Sequence, residues 1–501
     1  MPPLDESFTS APLDELAAIA LQRATELGAG HADVRIARTK WGQMTVRDGR
    51  LEANSDTESL GLGVRVIVDG TWGFATSNQL GPEGARGCAE RAVAAARQTR
   101  AVVGRRVEIA PEPVHAKQVW VSEYERNPFE VPEAERVARL AELTEALLAG
   151  PGVHHAEAEL WISQENKFYA DVHGTSTLQQ RIGVSPTVTA FHVDRDTAGF
   201  SSMKSLAPAV GRGWEYLTGT GWDFDTEVAE LPELLAEHVA APGVTAGTHD
   251  LVIDPTNLWL TIHETIGHGT ELDRAMGHEA DLAGTTFATP DQIGTLQYGS
   301  PLVNVTGDRD APHGLATIGF DDEGVRPRRF DIIKDGVLDG FQLNRQMAHE
   351  HGLGRSNGCT FAQSAEHLPL QRMPNVSLRP DPDGGSTEDL IAQVEDGIYI
   401  VGDRSWSVDM QRRNFQFTGQ RCFRIRDGRL AGQLRDVVYQ GSTPEFWGSM
   451  TAAGGPGTYL LGGSFRCGKG QPIQIASVSH GSPSALFRGV NVLNANAEGA
   501  R

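Results

Sequence analysis

The sequence predicts an α+β protein of two domains. Residues 1–242 should form an N-terminal domain of helices packed on antiparallel sheet, and residues 243–501 a β-rich C-terminal domain carrying a helix with metal-ligating residue types. Three observations lead there. The chain has 501 residues, more than one ordinary core accommodates. In the first half, helical periodicity alternates with stretches in which apolar residues recur at every second position. The second half has few helical stretches and is punctuated by Asp-Gly turns.

Residues 12–27 begin with Pro12 and set Leu13, Leu16, Ala20, Ala24 and Leu27 three or four positions apart before Gly28, the pattern of a helix with one apolar face. Alternating residues follow: Val34 and Ile36, Met44 and Val46, then Val64, Val66 and Val68, broken by Asp48-Gly49 and Asp69-Gly70. This reads as an antiparallel meander with hairpin turns. Helices are predicted over 82–99 and 132–149, the second from Val137, Leu140, Leu143 and Leu147 ahead of Gly150. A further strand-rich block matches the first at Ala32-Asp33-Val34 with Ala156-Glu157-Ala158, Gly63-Val64 with Gly183-Val184, and Gly73-Phe74 with Gly199-Phe200; a duplicated helix-and-meander unit is one reading of these matches, and chance similarity of short segments is the other. Helix-favouring residues 226–240 end at Ala241-Pro242-Gly243, where the domain boundary is placed. Beyond it, 331–338 and 422–430 each read strand, Asp-Gly turn, strand, and a helix is expected over 387–395.

Lys and Arg number 44 against 65 Asp and Glu, and the formal net charge of −21 disfavours nucleic acid and anionic membrane as general partners. Asp5 and Glu6 stand where an export signal needs positive charge, and no run of about 18 apolar residues occurs, so a cytoplasmic protein is expected. The four cysteines, at 88, 359, 422 and 467, are too scattered for a disulfide framework and are expected as thiols.

The chemistry concentrates in Ile262-His263-Glu264-Thr265-Ile266-Gly267-His268-Gly269-Thr270-Glu271-Leu272-Asp273. At about 100° per residue, histidines five apart sit roughly 140° apart on a regular helix. Sharing a metal therefore demands a wide, π-type turn or an early helix end, with Gly267 placed to permit it. Without metal the same stretch is an amphipathic helix with Ile262 and Ile266 inward. A catalytic zinc takes three protein ligands and keeps one position open for water. Glu271, Asp273 and His278 are near in sequence, and the cysteines are further away. Cys467 has the strongest setting, between glycines and beside Arg466 and Lys469, which would favour its thiolate, although a free cysteine also reads as a small buried hydrophobe. Glu264 lies about 100° round from His263, where it suits a general base.

The run from His263 to Asp273 resembles the metal-bearing TldD-type members of the TldD/PmbA metalloprotease family. The similarity extends to Ser300-Pro301-Leu302-Val303, Asp321-Asp322-Glu323-Gly324, His367-Leu368-Pro369, Arg372-Met373-Pro374-Asn375, Asp396-Gly397-Ile398-Tyr399 and Cys467-Gly468-Lys469-Gly470-Gln471, and to the N-terminal helix and meander. This resemblance implies a zinc-dependent peptidase for unfolded or unstructured peptides, which enter an internal cavity formed by two subunits. It assigns His263, His268 and Cys467 to Zn2+ and Glu264 to general base catalysis; Glu271 and Asp273 match the family pattern, and orienting the histidines is a role that carboxylates commonly take beside a metal site. A PmbA-like (TldE-like) paralogue is the implied heterodimer partner, a homodimer being the other arrangement. Two readings compete: a non-catalytic scaffold subunit without stoichiometric metal, and a hydrolase using Cys467 with a histidine, whose activity would survive chelation.

Overall fold

The computed structural model describes residues 2–194 and 199–498. Helix α1 (Glu6–Thr9) is followed by α2 (Leu13–Glu26), which buries Leu13, Leu16, Ala17, Ala20 and Ala24. Strands β1 (His31–Arg47) and β2 (Arg50–Val68) turn through Asp48 and Gly49 at φ 49° and 76°, and Asp69 and Gly70 at 49° and 71° lead into β3 (Thr71–Ser77). Both turns need two consecutive left-handed residues, which Asp tolerates and Gly adopts freely. Val34, Ile36, Met44 and Val46 all lie on β1, so the meander has fewer and longer strands than its interrupted apolar pattern implies.

Helix α3 (Pro82–Thr99) ends the first unit, and β4 (Gln118–Val121) leads towards the second. That unit contains α4 (Glu133–Leu148), β5 (His155–Asp171), β6 (Ser176–Val193), β7 (Phe200–Lys204) and α5 (Phe224–Ala240). The order helix, three strands, helix thus occurs twice. All seven strands share one sheet, ordered β3-β2-β1-β5-β6-β4, with β7 also on β6. Side-chain alternation sorts the two faces. Val34, Ile36, Val64 and Val66 pack in one core with α2 and α3, while Met44, Val46, Leu160 and Val184 share another with α4 and α5.

The opposite face is polar and lies on the second half of the chain. Arg35 donates to the His367 carbonyl at 2.8 Å, Lys167 Nζ lies 2.9 Å from Asp322, and Arg65 bridges Asp33 and Glu323 at 2.8 and 3.0 Å. Burial pushes the Asp33 carboxyl up, but Arg65 and His31 outweigh it and hold it down at about 2. Because this folded value lies below the unfolded one of about 3.9, the pair stabilises fully above that pH, and its contribution is lost as pH falls towards 2. Asp33→Asn is expected to cost about 1–3 kcal/mol at neutral pH, since it leaves the buried Arg65 guanidinium with one carboxylate, Glu323, in place of two. Urea unfolding checks this, and an unchanged midpoint would contradict it.

In the second half, β8 (Gly247–Ile253) lies parallel to Asp396–Val408 on one side and antiparallel to Ala485–Asn494 on the other. Val437–Ser442 and Asn414–Arg426 continue the sheet, and pairing of Asn414–Arg426 with Asp396–Val408 closes these five strands into a ring. Asp335-Gly336 and Asp427-Gly428 turn the two expected hairpins with φ of 48° and 79°, and 48° and 72°. The helix expected over 387–395 stops earlier, spanning Thr387–Ile391. The carbonyls of Val394 and Glu395 are instead taken by the N–H groups of Gly428 and Asp427, which draws that segment towards the sheet. Among the described residues no helix is long and apolar enough to cross a membrane.

Candidate metal centre

Helix α6 (Pro255–Ile262) leaves β8 directly, started by Pro255 and capped by Asp254, whose carboxylate accepts from the Thr256 N–H at 2.9 Å. It does not run straight through the motif. Over His263–Gly267 it widens into a π-turn in which the His268 N–H bonds to the His263 carbonyl five residues back, and His268–Thr270 then tightens to a 3₁₀ turn. The two imidazoles come within 4.6 Å between ring centroids, at 72° to each other. Side chains secure the distortion. Thr265 and Thr270 hydroxyls donate to the carbonyls of Thr261 and Ile266, Gln342 donates to the Gly267 carbonyl at 2.6 Å, and Trp447 donates to the Thr265 hydroxyl at 3.0 Å. Gly267 works differently from expectation: its φ of −53° and ψ of −62° are ordinary helix. Its smallness matters instead, because a Cβ there would lie 2.6 Å from Met373 Sδ.

The strand Leu460–Lys469 brings Cys467 to the same place. Ligand atoms of His263, His268 and Cys467 all lie within 4.8 Å of one another, and Cys467 Sγ is 3.6 Å from His268 Nε2. Strand alternation corrects the expected source of thiolate stabilisation. Arg466 points to the opposite face, its guanidinium 4.6 Å from the Trp161 ring centroid, and Lys469 is engaged by carboxylates. Burial pushes the Cys467 thiol up, but Arg372 and His268 outweigh it and bring it below the ordinary thiol value. Burial alone dominates elsewhere, raising Cys88 to about 11 and Cys359 and Cys422 to about 12. His278 lines a separate cavity, so the structure does not place it with the two motif histidines.

Each motif histidine is oriented by a neighbour. His268 Nδ1 lies 2.8 Å from Glu271 Oε2; a carboxylate only accepts, so Nδ1 carries a proton and Nε2 is the nitrogen turned towards Cys467. Glu271 also receives Lys469 Nζ at 3.1 Å and Arg274 Nη2 at 3.2 Å, and Asp273 receives the same Lys469 at 2.7 Å without touching either histidine. Burial pushes Glu271 up, but Lys469 and His268 hold it well below the usual carboxylate range. His263 relies on a residue that sequence spacing did not reveal, His480, 217 positions away, whose Nε2 lies 2.7 Å from His263 Nδ1. His480 Nδ1 bonds the Val376 carbonyl at 2.9 Å and must therefore donate. Burial, then the nearby His263, drives the His480 pKa well down, so its ring is neutral and its Nε2 accepts. His263 Nδ1 consequently donates, and its Nε2 is the nitrogen left for a metal. Two imidazole Nε2 atoms and a thiol of lowered pKa form a donor set that fits zinc.

Glu264 is buried beside this cluster, and burial pushes its carboxyl up. His263, His268 and Arg412 outweigh that effect and hold it below the usual value, so it is ionised at neutral pH. Glu264 and the three clustered residues border a cavity of about 690 Å³. Its far wall comes from the N-terminal sheet through Glu159 and Trp161 of β5, Ser185 and Thr187 of β6, and Lys204 of β7.

Comparison with known proteins gives the class to which the fold belongs: residues 246–494 match the PmbA/TldA metallopeptidase C-terminal domain and residues 32–96 match PmbA/TldA metallopeptidase domain 1. The chain belongs to the TldD/PmbA family. It is 25% identical over 470 residues to a metalloprotease of Methanothermobacter thermautotrophicus, covering 92% of this chain and 95% of that protein. It is 21% identical over 434 residues to a zinc metalloprotease TldD homolog of Saccharolobus solfataricus, covering 84% and 88%. The crystal structure of TldE from Thermococcus kodakarensis shares its fold, with a TM-score of 0.71 at 16% identity over 94% of this chain and 98% of that one.

Proposed function

We propose that this chain is a zinc-dependent peptidase that hydrolyses peptide bonds in unfolded or unstructured peptides. The observation that carries this reading is the meeting of His263, His268 and Cys467 within 4.8 Å, beside a buried carboxylate and a cavity. These three residues would hold Zn2+, which when bound supplies Lewis-acid activation of water and of the peptide carbonyl. Glu264 takes the proton of the attacking water and returns it to the leaving amine. Glu271 and His480 keep the rings turned towards the metal, and Asp273 fixes the lysine that pairs with Glu271. A cavity of about 690 Å³ suits a short stretch of extended peptide better than a folded domain.

The reading extends to assembly. A PmbA/TldE-like paralogue is the proposed heterodimer partner, with a homodimer as the alternative, and likeness to a TldE fold supports it. A cytoplasmic setting is part of this reading, and the net charge of −21 argues against nucleic acid or anionic membrane as partner. Division of the chain into residues 1–242 and 243–501 is supported by the start of β8 at Gly247 and of the family's C-terminal match at 246.

One specific distance favours a second reading: Cys467 Sγ at 3.6 Å from His268 Nε2 resembles a thiol-imidazole nucleophile pair. That chemistry leaves His263 and Glu264 without work. Hydrolysis of an unstructured peptide by the chain with its partner decides between them. Activity should vanish on chelation and return with zinc; activity that survives chelation would support the thiol hydrolase. Loss of the ring-orienting bond has its own signature. His480→Ala is expected to weaken zinc affinity by about 10–100-fold, measured by competition with a chelating dye, and an unchanged affinity would remove His480 from the site.

A further inference from the structure

We propose that Arg412 is a catalytic residue, donating hydrogen bonds to the carbonyl oxygen of the scissile peptide as that oxygen becomes anionic. This rests on the peptidase reading and adds a group that no motif marks. Arg412 lines the cavity, with its Nη1 3.3 Å from Glu264 Oε2. A guanidinium has five N–H donors. Here Nη1 meets Glu264, Nη2 meets the Ala283 carbonyl at 3.4 Å, and the buried Nε has no partner among the described residues. Both bonds are longer than the usual 2.7–3.2 Å of N–H to oxygen. A half-buried cation next to the base thus keeps unspent donors.

Its backbone points the same way. Arg412 has φ 57° in the turn joining Asp396–Val408 to Asn414–Arg426, a left-handed conformation that is costly for a long side chain. The turn is held on every side. Asp409 Oδ1 accepts from the N–H groups of Gln411 and Arg413 at 3.1 and 2.8 Å. The Thr443 hydroxyl donates to the Arg412 carbonyl at 2.8 Å, while Thr285 and Phe287 N–H groups take the carbonyls of Met410 and Gln411 at 2.8 and 2.9 Å. Such over-determined strain at a cavity wall holds the backbone that presents Arg412 to the site before the substrate arrives.

The step balances as follows. The water oxygen bonds to the carbonyl carbon, its proton passes to Glu264, and the carbonyl π pair moves onto the oxygen facing Arg412. Collapse returns that pair, breaks the carbon–nitrogen bond, and the amine leaves with the proton from Glu264. Arg412 is not consumed; it stabilises charge present only between the two steps.

The test compares zinc-loaded wild type with Arg412→Gly and Arg412→Lys on one peptide supplied as free acid and as C-terminal amide. Glycine accepts the left-handed backbone, so the fold and zinc content should persist. For Arg412→Gly, kcat is expected to fall about 10²–10³-fold on both peptides with KM little changed. Arg412→Lys, which keeps the charge without the planar fork, should fall between. Binding of a phosphinic peptide, a tetrahedral anion, should weaken by a similar factor in Arg412→Gly. A glycine variant with wild-type kcat, or a loss confined to KM or to the free acid, as a clamp on the terminal carboxylate would give, overturns the proposal alone. Zinc-loaded wild type that cleaves neither peptide overturns the peptidase reading and this inference with it.

Discussion

Glu264→Gln is expected to retain zinc and to lose about 10²–10⁴-fold in kcat/KM on an unstructured peptide, equivalent to about 3–5 kcal/mol of transition-state stabilisation. Glutamine fills the same volume but cannot take a proton. Glu264 stands beside the His263, His268 and Cys467 cluster rather than within it, so the donor set survives the change. The lowered pKa of Glu264 means that the base is already ionised across the neutral range, with burial opposing and His263, His268 and Arg412 prevailing. Metal analysis alongside initial rates checks both halves. Full activity in the variant would remove Glu264 from the chemistry, and loss of zinc would make it part of the metal shell.

Cys467→Ser should empty the centre. A serine hydroxyl stays protonated near neutral pH, whereas Arg372 and His268 lower the thiol's pKa despite its burial. Zinc affinity should fall by more than the 10–100-fold expected of an outer partner such as His480. Peptidase activity at limiting zinc should disappear with it, while the histidines remain in place because the Glu271 and His480 contacts do not involve the sulfur. Zinc content equal to wild type would leave Cys467 as a buried small residue or as the nucleophile of the thiol reading.

Much of the architecture was legible because it rests on local signals. Proline and glycine bracket the helices, and observed bounds of Leu13–Glu26, Pro82–Thr99 and Glu133–Leu148 fall within a residue of 12–27, 82–99 and 132–149. Asp-Gly pairs mark the hairpins because their left-handed backbone is a property of those two residues. A wide turn or an early helix end was legible from spacing once the two histidines were taken to share a metal, since histidines five apart cannot share a face of a regular helix. What escaped depends on contacts across the fold. His480 reaches His263 over 217 positions and Arg412 reaches Glu264 over 148, and neither separation leaves a periodic trace. Arg466 misled for the opposite reason: proximity in sequence to Cys467 means opposite faces once the segment is a strand.

Zinc K-edge absorption on the purified chain, bound to its partner, tests the central claim most directly. One sulfur at about 2.3 Å with two imidazole nitrogens at about 2.0–2.1 Å is the expected shell, and it should lose its sulfur in Cys467→Ser under forced zinc loading. A wild-type shell without sulfur, or a chain that takes up no zinc, would contradict a centre built from His263, His268 and Cys467.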